Sequence, residues 1–242
     1  MVREGAHPRL APGGSKACVA ADRRSPRRAV REDAPMELTE YLTRFAGQDE
    51  VLARVARETS ERPNAMMQSR TDQARLLTLL ARMVDAREAL EIGTFTGYGA
   101  ICIARGLAEG GRLTCFEVDE ELAAVSRANI ALAGLEDRVT IKVGPAGESL
   151  AAIPEVPQLD LVYVDADKDG YPGYYEALVP RMRPGGVIVL DNVLWGGEIA
   201  DMAKQDRDTL ALRAVNALVR DDERVTEVLL PVADGMTLAR KR

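Results

Sequence analysis

Asp165, Asp167, Lys168 and Asp169 fall within five positions at the end of an apolar run, in the stretch LVYVDADKDGYPGYY. A second polar pair, Asp191-Asn192, ends the run GGVIVLDN. Two carboxylates and an amide oxygen, with neither His nor Cys beside them, form a donor set suited to a hard cation such as Mg2+ or Ca2+, completed by water and substrate oxygens. Strand-end acids also serve as helix caps and turn formers, so spacing alone leaves both readings open for Asp165, Asp191 and Asn192. By the same standard Lys168 reads as a solvated lysine or one paired with Asp167 and Asp169. The single histidine, His7, lies in a Pro/Gly/Arg-rich leader. Ser-His-Asp and Cys-His nucleophilic schemes and His-ligated zinc are therefore set aside for the body of the chain.

A second constellation stands nearer the N-terminus. LEIGTFTGYGA carries Gly93, Gly97 and Gly99 behind an apolar run, where a strand-to-helix turn lets a nucleotide-type ligand approach the backbone closely. The spacing G-x-x-x-G-x-G differs from the dinucleotide G-x-G-x-x-G, so no pyrophosphate cradle is expected and a nicotinamide-dependent oxidoreductase is disfavoured. Glu117 ends the next apolar run, where an acid can accept hydrogen bonds from both ribose hydroxyls. Glu91 suits a cationic amine, as in a ligand whose other end is an amino acid. Together these residues point to S-adenosylmethionine (SAM).

The elements that position these residues are legible as a pattern. Strand-like runs EALEIG, RLTCFEVD, RVTIKVG, LDLVYVDA and GGVIVLDN alternate with helical stretches, the signature of a parallel sheet covered on both faces. RVTEVLLPV and GMTLARKR are joined through Ala233-Asp234-Gly235, whose Asp-Gly pair predicts a hairpin. The expected fold is α/β, a doubly wound, mostly parallel seven-stranded sheet with an antiparallel C-terminal hairpin, Rossmann-like, plus N-terminal helices. A helical N-terminal layer is expected over 36–86, with Leu76, Leu77, Leu80, Met83 and Val84 on one face of its last helix and Ser69 with Asp72 at capping-box spacing. The cofactor-binding core is expected over 87–242, with a helix near 172–182.

Charge and composition bound the partners. Residues 1–35 hold eight Lys or Arg against four acids, so a chain of net charge −6 has a body of −10. An acidic body argues against broad contact with a phosphate backbone. The leader lacks periodicity and is expected to be a disordered basic tail, and 36–242 one domain. Cys18, Cys102 and Cys115 are few and widely spaced, so no disulfide and a cytoplasmic setting are expected. No run approaches the length of a membrane span.

LEIGTFTGY, VDADKDGYPGYYE, RPGGVIVLDNVLWGG and LLPVADGMTLARK, in that order, resemble the cation-dependent class I O-methyltransferases, the caffeoyl-CoA and catechol O-methyltransferase-like group. The resemblance runs from about Glu37 to Arg242. It implies SAM contacts at Met67, Ser69, Glu91, Gly93, Thr94, Gly99, Glu117, Ala146, Asp165 and Asp167. It further implies a Mg2+ (or Ca2+ or Mn2+) site at Asp165, Asp191 and Asn192, a general base at Lys168 and a homodimer. The implied reaction is methylation of one hydroxyl of a vicinal diol, above all a catechol-type phenol. A tRNA hydroxyuridine methyltransferase is the alternative within the family, and a cofactor-binding protein without turnover one outside it. Two positions depart from the family pattern: Gly99 stands where a Ser is usual, and Gly196 where plant members have an Asn near the substrate. Trp195 could wall the acceptor pocket or simply pack. Tyr171, Tyr174 and Tyr175 are read as packing.

Overall fold

Seven apolar runs become seven strands of one sheet. The computed structural model describes residues 37–242; the leader, expected to be disordered, and Cys18 lie outside the described residues. The strands are β1 (Glu88–Ile92), β2 (Arg112–Glu117), β3 (Val139–Val143), β4 (Leu159–Val164), β5 (Met182–Asp191), β6 (Val225–Leu230) and β7 (Met236–Lys241). Their order is β3-β2-β1-β4-β5-β7-β6. Neighbours from β3 to β5 pair in parallel, and β7 runs antiparallel between β5 and β6. The hairpin expected around Asp234-Gly235 is the β6–β7 pair, and its connection also docks on the chain after β5, with Leu194 N–H donating to the Asp234 carbonyl at 2.9 Å.

The two-residue period of a strand divides the core. Leu161 and Tyr163 of β4 and Val187 and Val189 of β5 face one apolar cluster, while Val162, Val164, Ile188 and Leu190 face the other. Side chains alternate faces, so Glu91, Tyr163, Asp165 and Asp191 share the first face. α3 (Thr71–Met83), α4 (Tyr98–Gly106) and α5 (Glu120–Leu132) cover that face, with Leu52 and Val55 of α2 (Glu50–Ser60) joining its core. α1 (Leu38–Ala46) precedes them. α6 (Ala146–Ala151), α7 (Tyr171–Leu178) and α8 (Arg207–Arg220) cover the other face through Leu150, Tyr175, Leu212 and Val215.

Helix starts follow side-chain chemistry. Asp49, Asp119 and Asp206 accept the backbone N–H groups of Leu52, Leu122 and Thr209, satisfying donors that a helix start leaves orphaned. α3 differs from expectation: its N-cap is Arg70, whose N–H donates to Gln73 Oε1 at 3.1 Å. Ser69 is thereby freed to turn inward. Leu77 and Leu80 are buried as the periodicity predicts, whereas Met83, the last residue of the helix, is 71% exposed. α7 stops at Leu178, short of the expected 182, because Pro180 breaks the ladder and a 3-10 turn follows. Among the described residues, no helix is long and apolar enough to cross a membrane. Cys102 and Cys115 are buried and free.

Candidate active site

β1, β2, β4 and β5 end at one crevice because parallel strands deliver their carboxyl ends to the same edge, where the strand order reverses. The crevice is a cavity of about 1090 Å3. Met67, Ser69, Glu91, Gly93, Thr94, Gly99, Glu117, Ala146, Asp165, Asp167, Lys168, Asp191 and Asn192 all line it. Every site residue expected from sequence is thus brought to one place.

At the β1 end, Glu91 is 1% exposed and its Oε2 has no hydrogen-bond partner. Burial pushes its carboxyl up to about 8, only partly offset by the nearby polar side chains of Cys115 and Thr94. A buried acid with an orphan oxygen lining a cavity is suited to a cationic group supplied by a ligand. Gly93 has φ +88, and a Cβ there would overlap the Asp165 carbonyl oxygen; only glycine lets β1 turn this close to the end of β4. At Gly99 a Cβ would meet Glu91 Oε1 at 2.6 Å. The missing Ser side chain is therefore tied to where Glu91 sits, which sequence spacing did not indicate.

Glu117 is held back against the β1–α4 turn. Its Oε2 accepts the Thr94 and Phe95 N–H groups at 3.2 and 2.8 Å, and its Oε1 the Asp119 N–H at 3.0 Å. With about four lone-pair sites on a carboxylate, one remains for a ligand, so in this arrangement Glu117 can accept from one ribose hydroxyl rather than the two expected from sequence. Val118, Leu122 and Ala146 line the same end, an apolar slot suited to a flat ring.

At the β4–β5 end, Lys168 Nζ donates to Asp165 Oδ1 at 3.0 Å, Tyr171 hydroxyl at 2.9 Å and Asn192 Oδ1 at 2.7 Å. It is 8% exposed, and the Tyr171 ring centroid is 4.9 Å away. This is neither of the bland readings for Lys168: Asp167 and Asp169 are engaged elsewhere, with Tyr174 hydroxyl at 2.6 Å and with Arg207. Tyr171 was read as packing, yet its hydroxyl anchors Lys168 and donates toward the Val164 and Asp191 carbonyls at 3.1 and 3.0 Å. Asn192 has φ +54, a left-handed turn that Asn tolerates, and its Oδ1 accepts from Lys168.

Asp191 is 1% exposed, and burial, reinforced by the negative charge of Asp165, raises its carboxyl to about 7. Its oxygens accept from Tyr163 hydroxyl, Gln73 Nε2 and, at 2.7 Å, the Asn192 N–H. The donor set Asp165, Asp191 and Asn192 is all oxygen and fits a hard cation. Among the described residues no group of three His, Cys, Asp or Glu is arranged for a metal, so a cation bound by Asp165 and Asp191 would need the Asn192 amide as its third protein donor. Gln73 and Tyr163 were missed from sequence. Gln73 lies four residues before Leu77 on the buried stripe of α3, and that polar residue in an apolar stripe was the available signal.

Trp195, Asp208 and Asp234 also line the cavity, with Asp234 Oδ1 accepting the Gly196 N–H at 2.7 Å. Gly196 has φ +59 and open space where a Cβ would stand.

Comparisons with known proteins bear on the family and the fold. A family model described as O-methyltransferase matches residues 43–242. Catechol O-methyltransferase domain-containing protein 1 of Mus musculus is 36% identical over 223 residues, covering 90% of this chain and 84% of that one. The crystal structure of the O-methyltransferase from Bacillus cereus in complex with SAH superposes with a TM-score of 0.79 at 32% identity, over 84% of this chain and 96% of that one. That of TomG from Streptomyces achromogenes, involved in tomaymycin synthesis and in complex with SAM, gives 0.76 at 32% identity, over 85% and 99%.

Proposed function

Because this chain belongs to the O-methyltransferase family, we propose that it methylates one hydroxyl of a vicinal diol of the catechol type, with a divalent cation held by Asp165, Asp191 and Asn192. That it is a SAM-dependent O-methyltransferase is the premise; the acceptor and the cation are the proposal. The observation that carries it is the convergence of three oxygen ligands and Lys168 on the cavity that also holds Glu91 and Gly93.

Glu91 receives the ammonium of SAM, and its orphan Oε2 supports that role. Glu117 faces the ribose with its remaining lone pair, while Gly93 keeps the β1 turn clear of the ligand. A divalent cation at Asp165, Asp191 and Asn192 would supply Lewis-acid stabilisation for charge developing on the acceptor oxygen. Lys168 Nζ takes up the proton that the acceptor hydroxyl releases, a step for which it must enter as the neutral amine, with two of its three donated hydrogen bonds and a lone pair turned to the hydroxyl. Its three hydrogen bonds to Asp165, Tyr171 and Asn192 equal the three hydrogens of an ammonium, the form in which it leaves that step. The acceptor oxygen then attacks the methyl carbon in line as the carbon–sulfur bond breaks, and SAH departs with the bonding pair on sulfur. Trp195 walls the acceptor. Holding both reactants at near-attack distance supplies much of the acceleration.

The test is a screen with labelled SAM against catechols, catechol-bearing acyl-CoA esters, antibiotic precursors and hydroxylated tRNA, with Mg2+ or with chelator. A methylated catechol, lost in chelator and in Asp165→Ala, is the expected result. Undiminished methylation in chelator would remove the cation from the reading, and labelling of tRNA alone would replace the acceptor.

A further inference from the structure

Strand alternation turns Tyr163 and Asp191 to the side of the sheet that α3 covers, and two donors from separate elements meet there on one oxygen. Asp191 Oδ2 accepts from both the Tyr163 hydroxyl and Gln73 Nε2, while Oδ1 accepts the Asn192 N–H. Of about four lone-pair sites on a carboxylate, three are occupied, and the one left belongs to Oδ1.

Both donors are themselves held. Gln73 is 3% exposed, and its Oε1 is spent on the Arg70 N–H that starts α3. A flipped amide would set N–H against N–H, so the NH2 end must face Asp191. Tyr163 is 1% exposed, with its hydroxyl 3.3 Å from Ser69 Oγ and 3.4 Å from Asp165 Oδ2. Packing alone would be served at either position by an apolar side chain. A polar group buried without a partner costs stability, whereas here each finds the same carboxylate.

We propose that Gln73 and Tyr163 are positioning residues of the cation centre: they lock the Asp191 carboxylate so that Oδ1 alone is presented to the cation, and they make α3 part of that centre. This rests on the reading of Asp165, Asp191 and Asn192 as cation ligands. Neither residue needs to touch the cation. Their effect passes through the orientation of Asp191, as outer partners orient metal-ligating side chains generally.

The experiment uses the full chain with Tyr163→Phe, which removes one oxygen, and Gln73→Met, which keeps length and helix propensity. Mn2+ binding is titrated by electron paramagnetic resonance with SAH present, and turnover is measured across Mn2+ concentrations. Each variant is expected to weaken Mn2+ binding by about 10-fold to 100-fold, with kcat recovered at saturating Mn2+. A purely structural defect would instead lower kcat at every Mn2+ concentration. The proposal is overturned if either variant binds Mn2+ within twofold of the unsubstituted protein, or if kcat stays depressed at saturation. If the unsubstituted protein binds no Mn2+, the cation reading falls as well, which separates the two failures.

Discussion

Binding of SAH should expel a proton from Glu91. The carboxyl is buried at 1% exposure with Oε2 unpartnered, and burial holds it near 8 against an ordinary 4.5. At pH 7 a group titrating at about 8 is about 0.9 protonated. The amino-acid ammonium of SAH pairs best with the ionised form, so at pH 7 binding releases about 0.9 proton, falling to about 0.1 at pH 9. Affinity should then rise about tenfold from pH 6 to pH 7 and level off above pH 8. For the ligand-free protein the sign is opposite. Between 4.5 and about 8 the unfolded chain has lost this proton while the folded one keeps it, so rising pH lowers stability by a few kcal/mol, on the order of the shift converted at about 1.4 kcal/mol per pH unit. Calorimetry in buffers of different ionisation enthalpy, with chelator present so that the Asp165–Asp191 pair is not titrated by metal, measures the release. Glu91→Gln is neutral like the protonated acid, so it should fold, release no proton and bind SAH about 1.5–3 kcal/mol more weakly. A wild-type release below about 0.2 proton at pH 7, or the same release in Glu91→Gln, would refute an unpaired buried Glu91 as the amine partner.

Restoring the family serine with Gly99→Ser should weaken SAH binding rather than strengthen it, because the new Cβ would stand 2.6 Å from Glu91 Oε1 and displace that carboxylate; calorimetry decides, and tighter binding would show that Glu91 yields freely. Gly196→Asn should fold within about 0.5 kcal/mol of the parent by thermal melt, since φ +59 is a conformation Asn accepts and nothing lies within 4 Å of the added Cβ. The same variant should alter the ratio of kcat/KM between catechols and catechol-bearing acyl-CoA esters, and an unchanged ratio would place Gly196 outside the acceptor site.

Seven strands, their mostly parallel pairing and the crevice at their ends could be read from the sequence alone, because continuous Val/Ile/Leu runs between amphipathic stretches admit few other arrangements. Asp165, Asp191, Asn192 and Glu91 were legible for the same reason: each ends an apolar run, and strand ends in such a sheet converge. Lys168 was ambiguous from spacing, since neighbours one residue away in sequence are not its neighbours in space. Its partners Asp165, Asn192 and Tyr171 come from the ends of two strands and the start of a helix. Helix limits were less legible: Arg70 rather than Ser69 caps α3 because Gln73 reaches back, and that choice released Ser69 toward Tyr163. Gln73 and Tyr163 looked like ordinary members of a helix and a strand until the sheet's alternation turned Asp191 to face them. Sequence by itself determined which strand ends bring polar residues to the crevice, since type and period are local properties. Only the tertiary structure decided how each is oriented, because a buried carboxylate points wherever donors from distant segments hold it.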